Sequence, residues 1–507
     1  MVAQDLLIQT IQLPLPLAVL LIGGLAMPIL GLLAERAALG RLREAWMFIV
    51  AASAIGSVWL LYQQLREEPG RVLVVTLWGQ RPPLGGCFEI DTLGVFMSGS
   101  VAFLGFLAVL YSFKYMERES RLTEYYTLVL LMMAGMTGVA MAGDFLTLFI
   151  FWELMSLSSY VLVAFLKSRW GPIEAGFKYL IMSATAGAFL LLSMSFLYGM
   201  TGTLNFAQLA ASLQGAVVTP WMLVIFSSLI IGFGVKSAIV PLHTWLPDAH
   251  PEAPSPISAL LSGIVIETGL YGLTRVLYLL FDPGFFQPSI AALAVLTMTL
   301  ANIMALLQQD IKRLLAYSSI AQIGYMLVGV SAGTAYGVMG TFLHVFNHSL
   351  LKGLAFLAVG SIVHQAGTRD IQSLRGVGRM MPFTSFALFV ALLGLGGVPA
   401  TNGFISKFIL FNSAIGAGMP LLTLIGVLNS AFSMAYYLLV MKTFISKPEG
   451  EGLKMGEAPA LMVAVTVAMA ALIVFFGLYP QPVIRYAAKA SRGLVEGLST
   501  YIEAMLP

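Results

Sequence analysis

Charge is what this sequence has least of. Only 10% of its 507 residues are charged, against roughly a quarter in soluble chains, so an ordinary water-soluble domain is excluded. Cysteine is nearly absent. The single Cys87 rules out a thiolate iron–sulfur cluster, a cysteine-rich zinc site and an internal disulfide, each of which needs several sulfurs or a partner. A formal net charge of +3 leaves no basic surface of the size nucleic-acid binding demands.

What fills the chain is apolar: 59% of residues are hydrophobic and the mean hydropathy is +0.89. A spanning helix takes about 20 apolar residues. Runs of that kind lie near 13–34, 46–63, 92–112, 125–142, 144–166, 172–200, 220–243, 255–281, 288–307, 314–332, 334–364, 382–411, 417–441 and 460–480. These fourteen runs predict an all-α polytopic membrane protein. The first lacks a basic n-region and is followed by further spans, so it reads as a helix and not as a cleaved signal peptide. The tail 482–507 alternates apolar with charged residues and lacks a spanning run, which predicts an interfacial helix.

The basic residues orient the chain, because cytoplasmic connections accumulate Lys and Arg. Sixteen of the twenty-seven fall in loops after odd-numbered runs, three between the second and third runs and three in the tail. Both termini are therefore expected outside the cytoplasm, in a cell or inner membrane. The remaining five, Lys178, Lys236, Arg275, Lys352 and Lys407, lie inside spans.

Two runs combine helix breakers with a lysine. They are Gly232-Phe-Gly-Val-Lys236-Ser-Ala-Ile-Val-Pro241 and Gly394-Leu-Gly-Gly-Val-Pro399-Ala-Thr-Asn-Gly403-Phe-Ile-Ser-Lys407, 171 residues apart from lysine to lysine. Lys178 and Lys352 are offset by 174, and Ser159-Tyr160 to Phe165 resembles Gly324-Tyr325 to Val330 at an offset of 165. The similar offsets predict a duplication into two five-helix units, helices 4–8 (125–281) and 9–13 (288–441), after an N-terminal part (1–112) and before a last helix and tail (442–507). An odd number of spans per unit makes the repeat inverted, with broken helices 7 and 12. Transporters built this way place ion sites near the midplane, where a broken helix exposes backbone groups to a protein-lined cavity.

An ionised side chain at bilayer depth costs about 2.5–3.5 kcal/mol or more, so it marks a partner, a hydrated cavity or a function. Glu153 follows a turn of apolar residues, and Lys236 is its nearest candidate partner. Such a pair can exchange a proton, because burial disfavours both charges and proximity favours them. Glu267 lies mid-helix in the eighth run. His344, His348 and Lys352 recur at i, i+4 and i+8, on one helix face suited to relaying protons. Two histidines so spaced can bind a metal, but no HExxH and no third ligand accompanies them, and none is expected. Lys407 completes the row. At the offset of 165 the counterpart of Glu153 falls near Ser318, so the second unit has no matching carboxylate. Asp144, Glu174 and Asp310 fall at helix boundaries and read as structural anchors. His243 and His250 lie in a turn with five prolines, read as a rigid non-helical connection; with Lys178 they are candidates for an inlet or gate.

The runs Trp152-Glu153-Leu-Met-Ser-Leu, Val235-Lys236 followed by Pro241-Leu-His-Thr-Trp-Leu-Pro-Asp-Ala-His250, Asp310-Ile-Lys-Arg-Leu-Leu-Ala-Tyr-Ser-Ser319 and His348-Ser-Leu-Leu-Lys352 resemble the antiporter-like subunits of respiratory complex I (NADH:quinone oxidoreductase). That family includes large subunits of multi-subunit sodium/proton antiporters and of membrane-bound nickel–iron hydrogenases. The resemblance implies that Glu153 and Lys236 form the inlet pair, that His348, Lys352 and Lys407 continue a central hydrophilic axis, and that redox chemistry in partner subunits drives protons along it. One position departs: many members carry a lysine where this chain has Glu267. The expected function is translocation of protons, or of sodium, in the membrane arm of a redox-driven complex. The chain itself would carry no cofactor and no catalytic redox centre. Its partners would be other membrane-arm subunits, a peripheral redox module and the lipid bilayer. The alternatives are the core of a cation/proton antiporter without redox chemistry, and a non-conducting structural subunit.

Overall fold

A computed structural model describes residues 13–36, 41–66, 72–76, 85–213, 215, 218–447 and 455–505. Arg71, Arg81 and Lys454, three of the basic residues used for orientation, and the last two residues of the tail lie outside that set. The spans before the first broken helix are α1 Leu15–Arg36, α2 Arg41–Arg66, α3 Thr92–Tyr115, α4 Leu122–Met141, α5 Phe145–Val163 and α6 Trp170–Thr201. Helix α7, Pro220–Lys236, is shorter. It is followed by α8 Ser255–Leu280, α9 Pro283–Leu306, α10 Ile311–Ser331 and α11 Ala335–Ala366. The twelfth run divides into α12 Pro382–Gly396 and α13 Asn402–Gly416. The chain ends with α14 Pro420–Ile445, α15 Ala460–Leu478, α16 Gln481–Val495 and α17 Leu498–Met505.

Every apolar run becomes helix, and the protein is a polytopic all-α membrane protein. Twelve of the described helices are long and apolar enough to span singly, thirteen if the bent pair Gln372–Met380 and Pro382–Gly396 is one more. The shortfall against fourteen falls at the two runs marked by breakers. Helix α7 stops at Lys236, and the twelfth run is interrupted between Gly396 and Asn402. Both interruptions hold an alanine in the left-handed region, Ala238 (φ 53°) and Ala400 (φ 69°), a conformation that costs an L-residue roughly 1–2 kcal/mol.

Three sequence readings need correction. The proline-dense turn is not wholly irregular: Leu246–Glu252 is a short helix, because Pro247 lies in its first turn, where no amide donor is needed. Lys312, counted as a loop residue, is buried in the first turn of α10 and donates to the Ala253 carbonyl at 3.0 Å. Nothing in the apolar pattern pointed to a two-stranded antiparallel hairpin, β1 Leu73–Thr76 and β2 Cys87–Ile90, which precedes α3. The tail is helical as expected, and α16 buries Ala487, Ala490, Ser491 and Leu494 against the protein.

Helix ends repeat at a fixed interval. Asp144 caps α5 by accepting from the Thr147 amide, and Asp310 caps α10 by accepting from the Lys312 and Arg313 amides. These carboxylates serve the helix starts, as expected of boundary anchors. Helices α6 and α11 are each 32 residues long and end at Gly202 and Gly367, both left-handed, as a C-terminal glycine commonly is. The bridge from Asp144 to Asn205 is matched by one from Asp310 to Asp370. The paired positions lie 165 or 166 residues apart, the interval that aligned Tyr160 with Tyr325.

Gly403 permits the second break. A Cβ there would fall 2.0 Å from the Gly394 carbonyl oxygen, whereas nothing lies within 4 Å of one at Gly416, at the far end of α13. Gly403→Ala is expected to lower stability by about 1–3 kcal/mol, with Gly416→Ala near neutral, measured by thermal unfolding of the purified protein in detergent.

Candidate functional site

The site follows from where the two broken helices put their lysines. Lys236 is the last residue of α7, so its charge sits against the carbonyl end of a half-helix, where cations are favoured. Its Nζ donates to Ser156 Oγ at 2.8 Å and Tyr179 OH at 2.7 Å, and lies 4.8 Å from the Tyr179 ring centre. Tyr179 is held in turn: it stacks on Trp245 at 3.9 Å and accepts from Ser159 Oγ at 2.9 Å, while Trp245 Nε1 donates to the Val235 carbonyl at 2.7 Å. The break itself thereby clamps the lysine's partner.

Lys407 is not the same residue copied into the second half. It lies in α13, after its break, where Lys236 lies before its own. Its ammonium reaches back to donate to the Leu395 carbonyl at 2.6 Å and to Ser430 Oγ at 2.9 Å, 4.5 Å from the Tyr325 ring centre. Leu395 is in the last turn of α12, so both lysines rest at the C-terminal end of a half-helix by different routes.

Between them runs a buried polar row. A Cβ at Gly269 would lie 3.1 Å from Lys236 Cβ, so α8 meets the end of α7 two residues beyond Glu267. A π-helical turn, Leu261–Val265, precedes Glu267 in α8; such wide turns often occur at functional sites. His348 Nδ1 is hydrogen-bonded to Glu267 Oε1. His344 stacks on His348 at 6.0 Å, contacts Ser406 Oγ through Nδ1 at 2.8 Å and Gln322 Oε1 through Nε2 at 3.1 Å. Gln322 Nε2 donates to the same Leu395 carbonyl that Lys407 uses, at 3.2 Å. Lys352, one turn beyond His348, donates to the Leu315 carbonyl at 2.8 Å and Ser318 Oγ at 2.6 Å, and Ser318 is bonded to Tyr437. None of Lys236, Glu267, His344, His348, Lys352 and Lys407 is more than 3% exposed.

Glu153 differs. It is half-buried, its Oε1 has no hydrogen-bond partner, and a Cβ at Gly187 would lie 3.0 Å from that oxygen. No ion pair within 4 Å joins it to Lys236 among the described residues. Ser318, opposite Lys352, stands at the position 165 residues after Glu153, as the sequence offset placed it. Lys178 lies apart from the row: it is exposed, pairs with Glu174 at 2.9 Å and Asp248 at 3.0 Å, and lines a surface cavity of about 340 Å³ with Arg313, Arg369 and Pro251. His250 is buried beneath that face, stacked on Phe356 at 4.5 Å, with both ring nitrogens unpartnered; half-buried His243 has an unpartnered Nδ1. Sequence reasoning missed Tyr179, Gln322, Ser406 and Lys312. The first three are polar residues within apolar spans, a weaker signal than charge. The burial of Lys312 was concealed by its place at a helix start.

A family profile described as NADH:quinone oxidoreductase/Mrp antiporter, transmembrane, matches residues 142–433, and one described as NADH-ubiquinone oxidoreductase (complex I), chain 5 N-terminus, matches 85–126. The NADH-quinone oxidoreductase subunit N of Desulforudis audaxviator is 33% identical over 460 residues, covering 86% of this chain and 91% of that protein. The F420H2 dehydrogenase subunit N of Methanosarcina mazei is 35% identical over 421 residues, covering 80% and 85%. Among solved structures, a chain of the membrane-bound sulfane sulfur reductase, an archaeal respiratory membrane complex, superposes with a TM-score of 0.89 at 29% identity, covering 97% of this chain and 99% of that one. A chain of the Mrp complex from Dietzia sp. DQ12-45-1b shares the fold, with a TM-score of 0.87 at 24% identity and coverage of 98% and 100%.

The two carboxyl groups can be told apart chemically. A lipid-soluble carbodiimide is expected to modify half-buried Glu153 and to leave Glu267, enclosed and bonded to His348, unmodified. Peptide mapping by mass spectrometry checks this, with Glu153→Gln as the control that removes the label.

Proposed function

The chain belongs to the NADH:quinone oxidoreductase/Mrp antiporter family as an antiporter-like membrane subunit of the complex I and F420H2 dehydrogenase type, and from that premise we propose that it moves protons along its buried polar row. The observation that carries this reading is continuity. Hydrogen bonds and ring contacts lead from Glu267 through His348, His344 and Gln322 to the carbonyl shared with Lys407. A bare charge is costly in a low-dielectric interior, so a proton gained at one end of such a row favours proton loss at its neighbour.

Glu153 and Lys236 form the uptake pair, with Lys236 passing the proton towards Glu267 across the contact of α7 with α8. Glu267 and His348 share a proton mid-row, in place of the lysine that many members carry there. Lys352 and Lys407 complete the transfer. His250, His243 and the cavity beside Lys178 connect the row to the face richer in basic residues, which we assign to the cytoplasm, with both termini on the other side. The relatives at 33% and 35% identity are subunits of redox complexes by name, which supports partners in a membrane arm and a peripheral redox module that supplies the driving force. Sodium is the alternative ion.

Donor-driven ion flux by the purified complex in sealed vesicles tests the reading. Lys236→Ala is expected to assemble and to lose flux by about a hundredfold or more, the scale of a lost acid–base step; normal pumping in that variant overturns it. Glu267→Gln is expected to impair flux, and unchanged stoichiometry there would leave Glu267 a packing residue. Varying sodium identifies the ion. Flux driven by an imposed pH gradient alone, in a preparation without a redox subunit, would make the protein a secondary antiporter.

A further inference from the structure

The proposed row leaves unused a buried polar cluster at the face opposite Lys178. Glu267, Tyr271 and Arg275 recur at i, i+4 and i+8 in α8, so they form one ladder on one helix face. It climbs about 12 Å from the centre of the row. Tyr271 OH donates to the Ala140 carbonyl at 2.6 Å and accepts from Arg275 Nη1 at 2.8 Å. Arg275 also donates to Asp91 Oδ2 at 2.9 Å, and its Nη2 lies 4.0 Å from Glu89 Oε2. Arg275 is therefore no span-end residue reaching for water: it is 2% exposed and its Nε is unpartnered.

Glu89 is wholly enclosed, an unusual position for a carboxylate at a membrane face. It is met by Tyr501 OH from α17, by Asn205 Nδ2 at 3.3 Å, by Arg275 from α8 and, on its own strand, by Cys87 Sγ at 3.9 Å. Asp144 stands beside it, holding the Cys87 amide at 2.8 Å. Beyond Tyr501 and Asp91 a cavity of about 690 Å³ reaches the surface, walled by Arg485, Lys489, Arg492 and Glu496.

We propose that this ladder is a proton outlet, running from Glu267 through Tyr271 and past Arg275 to Glu89, which releases the proton into the cavity beneath Tyr501. The inference rests on the translocation reading and adds an exit to it. The proton leaving the Glu267 carboxyl bonds to the Tyr271 oxygen as the phenol's own proton leaves the Ala140 carbonyl for the ionised Glu89 carboxylate, so the tyrosine is neutral before and after and Glu89 becomes the carboxylic acid. Arg275 keeps its charge throughout; it positions the Tyr271 oxygen and Asp91 and carries no proton itself. Burial pushes the Glu89 carboxyl up to about 7, with Arg275 and the Tyr501 hydrogen bond opposing the rise. The group therefore accepts protons above that pH and is already filled below it.

Sealed vesicles of the assembled complex, with pH set independently on the hairpin side, provide the test. Wild-type donor-driven flux is expected to fall as that pH drops through about 7, approaching roughly tenfold per pH unit, as the ionised fraction does. Glu89→Gln is expected to have low flux that no longer follows pH on that side. Tyr271→Phe is expected to have low flux at every pH. Flux in Glu89→Gln that retains the wild-type pH midpoint, or wild-type flux in Tyr271→Phe, overturns the outlet. Lys236→Ala in the same vesicles separates the two readings: if that variant pumps normally, translocation along the row has failed, whereas its loss beside two normal outlet variants rejects the exit alone.

Discussion

The structure turns on the difficulty of keeping a charge in hydrocarbon. Along the polar row, Lys236, Lys352, Lys407, Glu153, Glu267, His344 and His348 stand inside this bundle, and each of them except Glu153 is nearly or fully enclosed. Their environment is built from the cheapest polar material a membrane protein has, the ends of interrupted helices. Lys236 and Lys407 both rest where a half-helix presents unpaired carbonyls and the negative end of its dipole. Hydroxyls from Ser156, Tyr179, Ser430 and Ser318, and for Lys352 the Leu315 carbonyl, supply further partners for the lysines. The helix breaks are thus the means by which Lys236 and Lys407 are tolerated, whereas Lys352 rests on the Leu315 carbonyl of α10.

That solution shapes the rest of the bundle. A break leaves backbone groups without partners, and these are safe only inside protein. Helices α8, α10 and α11, which carry the middle of the row, are accordingly almost or entirely buried, while α1, α6 and α14 face outward. The matching caps of α5 and α10, and the equal lengths of α6 and α11, give each broken helix the same kind of frame. Within those frames the residues differ. Glu153 is answered by Ser318, and the lysines sit on opposite sides of their breaks, so the first row end holds a half-buried carboxylate and the second holds none.

Most of the architecture was legible because lipid enforces it. Fourteen apolar runs became helices, and Gly and Pro beside a lysine marked both interruptions. The ionisable row was legible for the same reason: Glu267 or His348 is conspicuous among Leu and Ile. Less could be read where the signal is shared with ordinary packing. Tyr179 and Gln322 look like any polar residue in a span. The capping role of Thr334, which accepts from the Gly337 amide at 3.1 Å, is invisible without geometry. The hairpin was missed because four-residue strands carry no periodicity worth the name. Lys178 and Lys352, paired by an offset of 174, proved unlike: one is exposed in ion pairs and the other enclosed, and the caps support 165 as the interval.

The tail has a consequence in time. Lys489 of α16 donates to the Leu65 carbonyl at 2.7 Å, and Tyr501 of α17 bonds Glu89, contacts that join residues 424 and 412 positions apart. Contacts of such separation form last in a chain made from its N-terminus. While the earlier helices are being inserted, the polar cluster under the hairpin stands uncovered, and its carboxylate meets water. Only when synthesis reaches α17 does the cluster close, so a residue made 412 positions after Glu89 seals it.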